Sequence, residues 1–174
     1  MGLGERVAMN GSRDNQRFKW VMGLAKTHYF GSKSTALEIG PGDGTFARGI
    51  KAVGYELVSF GGPDPGGNWD HFELDIQRES LPGAFDFIHL GQVLEHLEDD
   101  KAALINVLKM ATAGSLIVIT VPNFKDPEHR RTYTQASFHD LVLPVIDVRE
   151  MRTFRGNGYT CWGVAGFRRL NDGL

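Results

Sequence analysis

The sequence predicts an α/β domain: a mostly parallel sheet with helices on both faces and an antiparallel hairpin at one edge. Three observations carry this reading. From Ser34 onward, short apolar runs alternate with stretches of helical periodicity, the pattern of strand–helix–strand crossovers. Gly40, Gly42 and Gly44 punctuate the junction after the first apolar run. The last third abandons the alternation for two β-rich stretches joined by Gly156-Asn157-Gly158, the chemistry of a hairpin turn.

The elements follow in order. Phe18, Val21, Met22 and Ala25 recur at helical spacing, which predicts an amphipathic helix from Asn15 to His28. "STALEIG" is a buried strand ending at the glycines, and a helix runs from Thr45 to Val53. "YELVSF" is a second strand, "HFELDI" a third and "AFDFIHL" a fourth; the loop Gly61–Asn68 between the second and third is too rich in glycine and proline for regular structure. Glu98, Asp99 and Asp100 open a helix whose dipole their charges complement. Its apolar face is Leu104, Val107, Leu108 and Ala111, and Gly114 is expected to end it. "SLIVITV" is the most apolar strand, Phe138, Leu141 and Val142 mark a short helix before Pro144, and the hairpin strands Val145–Arg155 and Tyr159–Leu170 bring the strands to seven.

The 174 residues suit one domain, read as an N-terminal helical segment over 1–33 and a core over 34–174. The lone cysteine, Cys161, excludes an internal disulfide and fits a reducing compartment. No apolar run is long enough to cross a bilayer, the N-terminus lacks a secretory pattern, and Arg6 breaks the myristoylation motif that Met1-Gly2 would begin. A cytoplasmic location is expected. A net charge of −2 gives no general attraction to nucleic acid or anionic membrane. Arg130, Arg131, Arg149, Arg152, Arg155, Arg168 and Arg169 crowd the last third, either as a solvated mixed-charge surface or as a basic rim for an anionic substrate.

In such a sheet, ligands bind beyond the carboxyl ends of the strands where strand order reverses, and the glycine loop stands there. A dinucleotide fold wants G-x-G-x-x-G facing a pyrophosphate. Here the spacing is G-x-G-x-G, with Thr45 at the third dinucleotide position and Glu38 inside the preceding strand. A carboxylate there repels a pyrophosphate and suits an ammonium group. The spacing argues against NAD without naming the ligand.

"LEIGPGDGTF" resembles the first motif of class I S-adenosylmethionine-dependent methyltransferases, "FDFIHLGQVLEHLED" their fourth-strand motif and "GSLIVITVPN" their fifth strand. "HRRTYT" is similar to the segment that follows in the ubiquinone-biosynthesis type of small-molecule O-methyltransferase. The resemblance implies a three-layer, Rossmann-like methyltransferase fold with S-adenosyl-L-methionine as cofactor. It implies that Glu38, Gly40, Gly42 and Gly44 hold the methionyl part and ribose. Asp75 would read the adenine amino group with Ile76 against the ring, and Leu90, Gly91 and Gln92 would run beside the methionyl tail. The family ends its second strand with an acid that grips the ribose; here that position is Gly61, with Asp64 three residues on. A weaker cofactor grip is expected, and an acid restored at 61 should tighten it if the backbone there admits a side chain.

Methyl transfer to a hydroxyl needs a dry, aligning site and a base or metal for the proton. His96, directly after the fourth-strand tip, is the first candidate base and His129, in the loop after the fifth strand, the second. Some relatives hold a divalent cation with an E-x-x-E-H run, and Glu95, His96 and His129 suggest such a site. In "QVLEH", however, Gln92 replaces the first acid, and positions 92 and 96 share a face only if the segment is helical. A metal-free site is therefore expected. Trp20, Tyr29, Phe124, Tyr133 and Trp162 are the aromatic candidates for an acceptor pocket. The reading is a small-molecule O-methyltransferase, with N-methylation left open and a non-catalytic S-adenosylmethionine-binding partner protein and an NAD-dependent oxidoreductase as alternatives.

Overall fold

The structure, a computed structural model, describes residues 13–156 and 159–169. The readings on Met1, Gly2 and Arg6, on the turn residues Asn157 and Gly158, and on the strand end at Leu170 lie outside them. Helix α1 (Arg13–Thr27) precedes strand β1 (Thr35–Ile39), helix α2 (Thr45–Val53) and strands β2 (Glu56–Phe60), β3 (Asp70–Phe72) and β4 (Phe85–Gly91). A single 3₁₀ turn, Leu94–His96, leads to α3 (Asp100–Lys109), β5 (Ala111–Pro122), α4 (Gln135–Val142), β6 (Ile146–Gly156) and β7 (Tyr159–Arg168). Among the described residues no helix is long and apolar enough to cross a membrane.

The seven strands form one sheet in the order β3-β2-β1-β4-β5-β7-β6. Strands β1 to β5 pair in parallel, and β7 lies antiparallel between β5 and β6. From β1 the chain runs outward to β2 and β3, then returns to place β4 on the other side of β1. Strand order reverses there, so the ends of β1 and β4 open the crevice in which such sheets bind ligands.

Side chains alternate between two cores. Leu37, Ile39, Ile88 and Leu90 bury against α3 and α4 through Leu104, Val107, Phe138 and Val142. Ala36 and Phe87 face the other way, against Val21, Met22 and Ala25 of α1 and Ala47 and Ile50 of α2. This alternation places Glu38 and His89 on the α1/α2 face, a polar pair inside an apolar layer.

Two elements depart from the sequence reading. The third strand stops at Phe72 rather than Ile76, because Leu74 N–H turns back to Phe72 O and the chain curls around the Asp75 carboxylate, which accepts from Gln77 N–H at 3.0 Å. Gly114 does not end α3. The helix ends at Lys109, the strand begins at Ala111, and exposed Thr112–Gly114 bulge out of it, closed by Thr112 N–H donating to Ser115 Oγ at 2.7 Å.

Candidate functional site

The loop between β1 and α2 is built on left-handed glycines. Gly40, Gly42 and Gly44 have φ of 66°, 55° and 78°, a region that costs other residues energy. Gly40 is also crowded, since a Cβ there would lie 2.4 Å from Val93 Cγ2. A Cβ on Gly42 meets nothing within 4 Å, so the loop presents its middle to open space. Asp43 braces the loop by accepting from Thr45 N–H and Thr45 Oγ1–H, both at 2.9 Å.

Glu38 lies directly behind the loop, and it is not free. It pairs in register with His89 across β1 and β4, and His89 Nδ1 stands 2.8 Å from Glu38 Oε2. Phe46, at the start of α2, stacks on the His89 ring at 4.8 Å. Burial raises the Glu38 carboxyl above its ordinary pKa, with His89 and then Arg17 pulling it down.

The remaining positions expected at the cofactor sort into backbone and side-chain cases. Leu90 is fully buried in the α3-side core, leaving only its backbone to the crevice. Gly91 sits over His89, whose Cε1 would lie 2.7 Å from a Cβ. Gln92 has φ of 64°, the one positive φ outside glycine among the described residues. Its N–H donates to Thr120 O and its Nε2–H to Cys161 Sγ, so it turns toward β7 and not toward His96. The 3₁₀ turn begins only at Leu94, and positions 92 and 96 share no helical face.

Asp75 caps a turn, with its carboxylate on Gln77 and 3.5 Å from Arg78, and Ile76 is buried in the α3-side core with its carbonyl accepting from Asn106. Gly61 has φ of 81° and donates its N–H to Phe72 O; Asp64 accepts from Gly66 N–H within its own loop. The backbone at 61 is of the kind that disfavours a side chain, so the condition on which a restored acid would tighten the grip is not met.

The two candidate bases meet. The rings of His96 and His129 are 4.9 Å apart, edge to face. His96 Nδ1 is 3.1 Å from Glu128 O, and His129 Nδ1 is 3.1 Å from Phe124 O. A carbonyl only accepts, so each Nδ1 carries a proton, and in the neutral ring the lone pair falls on Nε2. The Glu95 carbonyl accepts from Arg130 N–H at 2.8 Å, tying the loop after β5 to the 3₁₀ turn and bringing the histidines together. The Glu95 side chain is fully buried, with both carboxylate oxygens lacking a hydrogen-bond partner among the described residues. Burial pushes its pKa up to about 7. Ligand atoms of Glu95, His96 and His129 all lie within 4.8 Å of one another.

Of the aromatic candidates, Phe124 stands at the histidines, 5.2 Å from His129 and 4.8 Å from Tyr159. Tyr29 is half-buried, packed on Tyr55 at the edge of the α1/α2-side core, and Tyr133 is core, buried with its hydroxyl donating to Asp100 at 2.6 Å. Trp20 packs on Phe154, and Trp162 packs against the α3-side core. The arginines do not form one rim. Arg130 pairs with Glu98, Arg131 with Asp100, Arg149 with Asp147 and Arg152 with Glu150, while Arg168 donates to the carbonyls of Leu108 and Ala111.

Sequence reasoning missed His89 and Arg17. His89 had a signal: a polar residue inside "FIHLG", on the same strand face as Phe87. Arg17 had one too, since it shares a helical stripe with the buried Val21 and Ala25 at intervals of four.

Residues 10–164 match the model of the family described as Methyltransferase domain. A comparison with curated protein sequences finds no match. Among solved structures, the chain is similar to the N-methyltransferase NodS from Bradyrhizobium japonicum WM9 in complex with S-adenosyl-L-homocysteine. The two are 19% identical over 98% of this chain and 94% of that one, with a TM-score of 0.77. It is also similar to magnesium protoporphyrin IX methyltransferase from Synechocystis PCC 6803 with bound S-adenosylhomocysteine (11% identity, 90% and 84% coverage, TM-score 0.72). A third is the 1,6-didemethyltoxoflavin-N1-methyltransferase of Burkholderia thailandensis, solved with 1,6-didemethyltoxoflavin and S-adenosylhomocysteine (14% identity, 89% and 84% coverage, TM-score 0.65). At these identities the likeness is one of fold.

Proposed function

The chain belongs to the family of methyltransferase domains, and on that premise we propose that it transfers a methyl group from S-adenosylmethionine to a hydroxyl of a small-molecule acceptor, in the manner of the ubiquinone-pathway type. The observation that carries the reading is the open, left-handed glycine loop between Glu38 and α2, at the reversal of strand order. The three solved structures named above were all determined with S-adenosylhomocysteine, and two of them are named for small-molecule acceptors, magnesium protoporphyrin IX and 1,6-didemethyltoxoflavin. Bound S-adenosylmethionine supplies an electrophilic methyl on a sulfonium.

The chain's residues do the rest. Gly40, Gly42 and Gly44 let the ligand approach the backbone, and Glu38 faces its ammonium end. Gly91 and the backbone of Leu90 and Gln92 border the methionyl tail. Asp75 and Ile76 serve the adenine, and Gly61 leaves the ribose without a carboxylate partner. His96 would take the acceptor hydroxyl's proton, with His129, whose ring lies 4.9 Å away, as the second base. The core runs from residue 34, and the segment over 1–33 contributes α1 to the crevice. Four of the arginines, Arg130, Arg131, Arg149 and Arg152, are paired to acids, which weakens the case for a basic rim that receives an anionic acceptor.

One observation favours a second reading. Both histidines have Nδ1 tied to a carbonyl, His96 Nε2 lies 4.0 Å from Glu95 Oε1, and ligand atoms of Glu95, His96 and His129 gather within 4.8 Å, a donor set that fits a divalent cation held by the three. Such a cation would acidify the acceptor hydroxyl in place of the base. The test of the main reading is release of S-adenosylhomocysteine with a panel of phenolic, alcoholic and amine acceptors. Turnover on hydroxyl acceptors supports it. Turnover on amines alone moves the reaction to nitrogen, and binding of cofactor without turnover on any acceptor makes the chain a non-catalytic binding partner.

A further inference from the structure

Two aromatic side chains continue the line of the two histidines. Phe124 lies 5.2 Å from His129, whose ring is 4.9 Å from His96, and Tyr159 lies 4.8 Å beyond Phe124. The four rings come from the 3₁₀ turn, the loop after β5 and the first residue of β7. All four keep surface toward water. Tyr159 is 51% exposed and the His96 side chain 40%, while Phe124 and His129 are half-buried. The three ring pairs meet at 82°, 47° and 53°, so none is a parallel stack in which two rings close their faces against each other.

Backbone hydrogen bonds hold this row in place. Asn123 N–H donates to Thr160 O at 2.8 Å, next to Tyr159, and Arg130 N–H donates to Glu95 O at 2.8 Å, next to His96. The loop that carries Phe124 and His129 is thus tied at both ends. Within it, His129 Nδ1–H donates to Phe124 O at 3.1 Å, which fixes a candidate base to its neighbouring ring. A ligand that lies against Phe124 and Tyr159 therefore ends at the histidines. The chemistry of an imidazole base narrows that ligand further. A phenol ionises near the tyrosine value of about 10, against about 15.7 for water. An imidazole removes the phenol's proton at far smaller cost than that of a hydroxyl as weakly acidic as water's.

We propose that the acceptor is a phenol whose ring lies against Phe124 and Tyr159, with its hydroxyl toward His129 and His96. The proposal rests on the O-methylation reading and names its substrate class. It also gives Tyr159, at the start of the edge hairpin, a part in specificity. Ring contacts of this kind favour an aromatic ligand over a saturated one of similar shape by about 2- to 10-fold.

The test uses the full chain and two matched pairs of compounds: catechol against cyclohexane-1,2-diol, and 2-naphthol against decahydro-2-naphthol. Dissociation constants are read by NMR titration with S-adenosylhomocysteine at saturation. The wild type should bind the aromatic member of each pair more tightly, by about 2- to 10-fold. Phe124→Leu and Tyr159→Leu keep apolar bulk without a ring and should lose most of that preference; Tyr159→Phe should retain it. A wild type that binds both members equally, or binds no member of either pair, overturns the proposal. So does a preference that survives in both leucine variants. The same titrations without S-adenosylhomocysteine separate the proposal from the reading beneath it. A chain that shows the aromatic preference yet binds no S-adenosylhomocysteine supports the aromatic site and contradicts methyl transfer.

Discussion

Glu38 and His89 face each other across β1 and β4 in direct register, both almost wholly buried and joined by a 2.8 Å hydrogen bond. The acid behind the glycine loop is therefore part of a structural pair before it is part of a binding site. Its position does not depend on a ligand.

Breaking one side of that pair leaves a buried carboxyl alone. His89→Leu should cost about 3 kcal/mol in urea unfolding, while the double variant Glu38→Leu/His89→Leu should recover most of the loss, since an apolar pair of similar volume avoids the desolvation. A single variant as stable as wild type would show that the pair contributes nothing to the fold.

Burial pushes Glu95 from an ordinary 4.5 up to about 7. The folded chain holds a proton there that the unfolded chain releases once the pH exceeds 4.5. Wild-type stability should therefore fall as pH rises through the window from 4.5 to 7. Glu95→Gln carries no such proton. Its melting temperature, relative to wild type, should be higher at pH 8 than at pH 5 by roughly 5 °C. A difference that is the same at both pH values contradicts the assignment.

His96 as a metal-free base predicts activity that survives EDTA. His96→Ala should lower kcat by about 10²- to 10⁴-fold and leave the cofactor affinity near wild type. Activity silenced by EDTA and restored by Mn²⁺ or Mg²⁺ selects the cation reading instead. Gln92→Glu should not strengthen metal binding in either case, because the side chain points at Cys161 and not at the histidines.

Gly61→Asp should not tighten the cofactor. With φ of 81° and a Cβ that would meet Leu74 O at 3.4 Å, the substitution should destabilise the chain by about 1 kcal/mol. A stable variant with stronger binding would show that the backbone at 61 admits a side chain.

The alternation of apolar runs and helical stretches made the sheet legible, because parallel strands buried on both faces leave little else for the sequence to encode. The hairpin was legible from its flanking β-rich stretches. The third strand and the end of α3 were misread for local reasons. Asp75 turns the chain through its own side chain, and a bulge at Thr112–Gly114 imitates a helix stop. At the site, the glycines and the meeting of His96 with His129 were readable from motif order. The pairing of Glu38 with His89 was not, since it depends on register between strands 51 residues apart. Arg17 lay in a stripe read only for its apolar members.

Calorimetric titration of the wild-type chain with S-adenosylhomocysteine and with NAD, repeated on Gly42→Val, tests the central claim most directly. The wild type should bind S-adenosylhomocysteine and not NAD. Gly42→Val, shown folded by circular dichroism, should bind neither, because its side chain fills the open space before the loop. Binding of NAD without S-adenosylhomocysteine, or undiminished S-adenosylhomocysteine binding by Gly42→Val, would contradict the account.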